Sequence, residues 1–94
     1  VSAGANQGRI DVLKAHVYVT LRDGVLDPAG KAVLGGLHSM DYGEVSSVRL
    51  GRFIEVELSD TLDAEAARAR LGEMCERLLA NTVIEQYRIE LVEG

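Results

Sequence analysis

The sequence predicts an α+β fold, a two-layer sandwich in which an antiparallel sheet carries two helices on one face. Apolar and polar residues alternate in four short stretches, and two other stretches repeat apolar residues at helical spacing. Their order is β-α-β-β-α-β, the split βαβ arrangement.

The first strand begins near Lys14. Ala15, Val17, Val19 and Leu21 fall on one face and Lys14, His16, Tyr18, Thr20 and Arg22 on the other, the pattern of a half-buried strand. Residues 1–12 hold Gly4, Asn6, Gln7 and Gly8 without a sustained apolar period, so they are expected to form a flexible leader to a single domain over residues 13–94.

The first helix is announced by Asp27 and Pro28. A short acceptor side chain suits the N-cap, and proline has the preset φ that the first helical position tolerates. Gly30 then costs about 1 kcal/mol relative to alanine, so something is expected to approach the backbone there. Val33, Leu34, Leu37 and Met40 continue the helical spacing, and Asp41 and Gly43 mark its end. Gly35 and Gly36 in its middle leave two readings, a close neighbour or a weak helix that is tolerated.

Residues 45–50 and 53–58 both read as strands. Val48, Leu50, Ile54, Val56 and Leu58 keep one alternation through Gly51-Arg52, whereas a two-residue hairpin would turn Glu55 and Glu57 toward the core. Two solutions keep the phase. Gly51 sits at positive φ in a three-residue connection, or one long strand bends at Gly51 and its first half pairs with another subunit, giving a segment-swapped dimer.

Asp63 caps the second helix, where Ala64, Ala67, Leu71, Met74, Cys75 and Leu78 form an apolar stripe and Glu65, Arg68, Glu73, Glu76 and Arg77 face water. Asn81 suits a left-handed C-cap. The closing strand sets Tyr87, Ile89 and Leu91 on one face and Arg88 and Glu90 on the other.

Composition narrows the function. A chain of 94 residues buries only about 60–70% of its unfolded surface, a thin margin that self-association would widen. Fifteen acidic against ten basic residues, a net charge of -5, oppose docking on nucleic acid. Apolar runs fall far short of the roughly 20 residues that cross a bilayer, so no membrane partner is expected and the cytoplasm is the expected location. Cys75 stands alone and has no ligand-type partners at metal-binding spacing.

Catalytic patterns are missing as well. His16 and His38 lack evident acid partners, the serines lack a nucleophile elbow, and the glycines do not form a phosphate loop. No catalytic or metal-binding residues are expected. Arg49 and Arg52 flank Gly51 at a bend, where they either meet carboxylates or phosphates or remain solvated. His16, Tyr18, Phe53 and Arg88 share the sheet face opposite the helices, and an exposed aromatic beside Tyr18 suggests a subunit interface.

Val17-Tyr18-Val19-Thr20-Leu21, Val25-Leu26-Asp27-Pro28-Ala29-Gly30, Val48-Arg49-Leu50-Gly51-Arg52, and residues 75–81 with 83–88 together resemble the PurS family, small subunits of phosphoribosylformylglycinamidine synthase, over roughly residues 14–92. Ala29, Arg52 and Thr82 depart from residues common there. The resemblance implies a non-catalytic subunit of a glutamine-dependent ligase complex of purine biosynthesis. Such a subunit bridges a glutaminase subunit and an ATP-dependent synthetase large subunit for ammonia transfer, as a dimer or tetramer. It implies no cofactor on this chain and ATP and Mg on the large subunit. Partner contacts are implied at Asp27, Pro28, Gly30, Arg49, Gly51, Arg52, Asn81 and Glu85. These three stretches are expected at one end of the sheet, because successive elements reverse direction. The alternative is a small-molecule regulatory domain of the ACT-like type.

Overall fold

The computed structural model describes residues 11–93. Strand β1 (Asp11–Leu21) runs between β2 (Gly51–Asp63) and β3 (Glu85–Glu93) in a three-stranded antiparallel sheet. Its central place suits its sequence, since Val12, Ala15, Val17 and Val19 are all buried on one face. Val17 pairs with Ile54 and Ile89, and Tyr18 with Phe53 and Arg88. A register shift between Val12 and Lys14 lets Val12 reach the core while Leu13 stays exposed. Of the leader expected over residues 1–12, residues 1–10 lie outside the described residues, whereas Asp11 and Val12 belong to β1.

Helix α2 (Ala64–Met74) follows β2 directly, with Asp63 accepting a hydrogen bond from Ala66 N at 2.8 Å. Ala67 and Leu71 pack against Val12 and Ala15, and Cys75 and Ala80 against Val17 and Val19. The expected stripe fails at one place. Residues Cys75–Leu79 form a π-helical turn, closed by Ala80 N on Cys75 O at 3.0 Å. The wider turn carries Leu79 to the core, while Leu78 is 83% exposed. Asn81 does not take the left-handed conformation expected of it. The helix closes instead on Ala80 in extended conformation, and among the described non-glycine residues only Asp41 has positive φ.

Helix α1 (Pro28–Ser39) forms where expected. Asp27 Oδ1 accepts from Gly30 N at 2.9 Å, and Pro28 stands in the first turn. Its packing differs from expectation. Gly30 is its only buried residue, and α1 supplies nothing to either core cluster, so one helix rather than two covers the sheet within this chain.

Residues 45–50 are also not a strand, which makes the order β-α-β-α-β. The reason is geometric. They run straight into β2 beyond the point where β1 ends, and β1 already has a neighbour on each side. Gly51 is not at positive φ, so the three-residue connection does not form. A Cβ there would strike the Val19 carbonyl and lie 2.8 Å from Thr20 Cγ2, which explains the glycine by close approach.

With α1 off the sheet, the molecule is long. Its radius of gyration is 18.0 Å and its longest extent 59 Å, against about 12 Å of radius for a compact chain of this length.

Candidate functional site: the braced end of the sheet

Antiparallel pairing brings the exit of β1 and the starts of β2 and β3 to one end, where Thr20 faces Gly51 and Leu21 faces Glu85. All three expected stretches meet there. Asp27 caps α1 through one carboxylate oxygen and accepts from Leu50 N at 3.3 Å through the other. The close approach expected at Gly30 comes from this loop, because a Cβ would meet the Asp27 carboxylate and lie 2.7 Å from Val48 O. Pro28 is exposed at the start of α1.

Arg52 grips Glu85 with both terminal nitrogens, at 2.9 and 3.1 Å, and donates to Leu79 O at 2.7 Å. A bidentate guanidinium suits this double duty because its fork fixes carboxylate and carbonyl together. Glu85 also accepts from Asn81 N at 2.8 Å. The Arg52 fork, and then the Asn81 N–H, hold the Glu85 carboxyl below its ordinary range, while Glu85 raises Arg52. Asn81 orders the turn before β3: its side chain accepts from Val83 N, and its carbonyl accepts from Ile84 N and Glu85 N.

Arg49 donates to Leu21 O and pairs with Asp23 at 3.0 Å. The two arginines expected to reach outward are therefore engaged within the chain, as braces between segments. Arg22 is a third brace, one that sequence reasoning did not single out. Its backbone N donates to Ile84 O at 2.8 Å and its side chain to Thr82 O at 3.0 Å. The reversal of direction that gathered the other stretches places Arg22 at the same end, a signal available in the sequence.

A cleft of about 500 Å³ opens beside these braces, walled by Leu21, Val25, Leu26, Leu34, Val48 and Arg49. Leu26 is 66% exposed and Val83 83% exposed, so this end offers apolar contact area around its ion pairs.

On the open sheet face, Phe53 lies edge-on to His16 with ring centroids 5.0 Å apart, and 5.3 Å from Tyr18. Arg88 stacks 4.2 Å over the Tyr18 ring. The histidine has the acid partners the sequence did not reveal: Nδ1 lies 3.2 Å from Glu90 and Nε2 3.3 Å from Glu55. Tyr18 OH donates to Glu90 at 2.9 Å. That bond and His16 lower the Glu90 carboxyl. Among the described residues no group of three or more His, Cys, Asp or Glu side chains could hold a metal ion, and no helix is long and apolar enough to cross a membrane.

A helix that joins neither core cluster, beside a sheet end braced by arginines, is the form of a small subunit of a larger assembly. Comparison with known proteins gives the same class. The sequence pattern of the family described as PurS, phosphoribosylformylglycinamidine (FGAM) synthase, matches residues 14–93. The phosphoribosylformylglycinamidine synthase subunit PurS of Bacillus subtilis is 52% identical over 82 residues, covering 85% of this chain and 93% of the relative. That of a Synechocystis species is 52% identical over 76 residues, covering 81% and 75%.

Among solved structures, Bacillus subtilis PurS aligns with a TM-score of 0.72 at 49% identity, covering 85% of this chain and 98% of that one. A chain of PurLQS from Thermotoga maritima aligns with a TM-score of 0.76 at 30% identity, covering 86% and 98%. The chain belongs to the PurS family, the small subunit of the multi-subunit ligase FGAM synthase. These matches do not favour the ACT-like regulatory alternative.

Proposed function

We propose that this chain is the non-catalytic bridging subunit of a cytoplasmic FGAM synthase complex. Its braced end docks the glutaminase and synthetase subunits, so that ammonia released in one active site reaches the other without escaping to water. ATP and Mg belong to the large subunit in this reading. The observation that carries it is the convergence of Asp27, Pro28 and Gly30, of Arg49, Gly51 and Arg52, and of Asn81 and Glu85 on one surface locked by three arginines. The likeness to a chain of PurLQS supports it.

The same reading includes self-association by arm exchange. Beside β2 a groove of about 390 Å³ lies open between Val56, Met74, Leu78 and Leu79. Val33, Leu34, Leu37 and Met40 have no core to enter in their own chain. Seating the α1 arm of a second copy in that groove would complete both helix layers at once.

Reconstitution with the two larger subunits tests the proposal. Arg52→Ala and Val83→Glu are each expected to weaken co-purification and to lower glutamine-dependent synthesis about tenfold, the effect of losing one interface anchor. Unchanged assembly and unchanged synthesis in both variants overturn the bridging role.

A further inference from the structure

The cleft of about 500 Å³ at the root of α1 has the size of a small-molecule site. Three separate segments enclose it: the turn leaving β1, the first two turns of α1, and residues 47–49 on the way back to the sheet. Leu21, Val25 and Val48 lie half-buried along it, and Leu26 adds an exposed apolar wall. On a chain of net charge -5, the cleft is lined by three basic residues, Arg22, Lys31 and Arg49, against two acidic ones, Asp23 and Asp27.

These charges are not equivalent. Asp27 uses its two carboxylate oxygens on the N–H groups of Gly30 and Leu50, so the helix end is already capped by its own chain. Arg22 is engaged with Thr82 O. The Lys31 side chain has no ion pair or hydrogen bond among the described residues, and neither has the Ser47 hydroxyl. Arg49 is tied to Leu21 O, but its other contact is with Asp23, whose side chain is 92% exposed. A pair so open to water is weak and gives way to a better-placed anion. The cleft therefore offers two cations without a buried counter-charge, a free hydroxyl and an aliphatic floor.

We propose that this cleft binds a nucleoside monophosphate. Its phosphate is held between Lys31 and Arg49, its base lies on Leu21, Val25 and Val48, and its ribose hydroxyls bond to Ser47 and to the Asp23 carboxylate that the phosphate displaces from Arg49. The three parts of such a ligand answer the three parts of the lining. A phosphate dianion suits two cations, whereas a bare anion would leave the apolar floor wet and an uncharged nucleoside would leave Lys31 unpaired. The site goes beyond the bridging role and does not depend on it. Because the ligand touches α1 and residues 47–49 together, its binding fastens the root of the arm.

Calorimetric titration of the full chain with AMP tests the proposal, with adenosine and inorganic phosphate as separate titrants and circular dichroism as the control for folding. AMP is expected to bind once per chain and to raise the melting temperature. Each fragment is expected to bind at least about tenfold more weakly, since each forfeits one set of contacts. Lys31→Ala and Leu26→Ser, both at exposed positions, are each expected to weaken AMP about tenfold, and Lys31→Arg to retain it.

Absence of saturable AMP binding overturns the proposal. So does AMP binding that Lys31→Ala and Leu26→Ser leave unchanged, because the nucleotide then sits elsewhere. Inorganic phosphate or adenosine binding as tightly as AMP overturns it too, since one part of the lining would then contribute nothing. Failure of the bridging role would appear separately, as loss of co-purification with the larger subunits while AMP binding persisted.

Discussion

Glu85 shows how much chemistry one residue can carry without catalysing anything. Its carboxylate joins the start of β2, through Arg52, to the turn before β3, through Asn81. Because these partners lower its titration below the ordinary value of 4.5, its contribution is present above the unfolded chain's value and is lost as pH falls through the folded one. Thermal melts of the unsubstituted chain are expected to lose stability on acidification across and below that range. Glu85→Gln should be less stable at neutral pH and should change less on acidification. An equal acid response in both would show that the pair contributes nothing. Asp27 and Gly30 were legible in the sequence because capping and close approach are local demands. The Arg52 to Glu85 pair was not, since its members stand 33 residues apart and only the antiparallel pairing joins them.

At the scale of elements, periodicity and capping found both helices, both N-caps and three strands, and two of the readings they misjudged have plain physical reasons. Helical spacing assumes one turn length, so Leu78 was placed in the core, whereas the π turn at Cys75 turns it outward and brings Leu79 in. Leu71→Ala is therefore expected to cost about 2–5 kcal/mol in chemical denaturation. Leu78→Ala should leave the stability of the dissociated chain nearly unchanged while weakening self-association through the groove it lines. Similar losses in dissociated chains of both variants would contradict the observed packing. The alternation over residues 45–50 was the second detail. It records a segment suited to pairing, but a pattern along one chain does not say which chain supplies the neighbour. Gly35 and Gly36 stay unexplained within a single chain, because a Cβ at either would meet nothing within 4 Å.

Over the whole molecule, the sheet, α2 and the braced end form a body in which every buried hydrophobic residue lies between one helix layer and one sheet. The α1 arm leaves that body through a turn at Arg22 to Val25, where Gly24 takes φ 86°, and the clasp of Asp27 on Leu50 holds its two strands of chain together. The overall class was predictable because alternation and capping report on local packing. The extended shape was not, since α1 joins neither core cluster of its own chain and helical spacing does not report what a helix packs on. If the first helix takes its seat on another copy, as proposed, folding becomes a second-order event. The melting temperature should then climb with protein concentration, and refolding should speed up in proportion to the amount of chain present. Diluted far enough, such a protein would lose its first helix before its sheet.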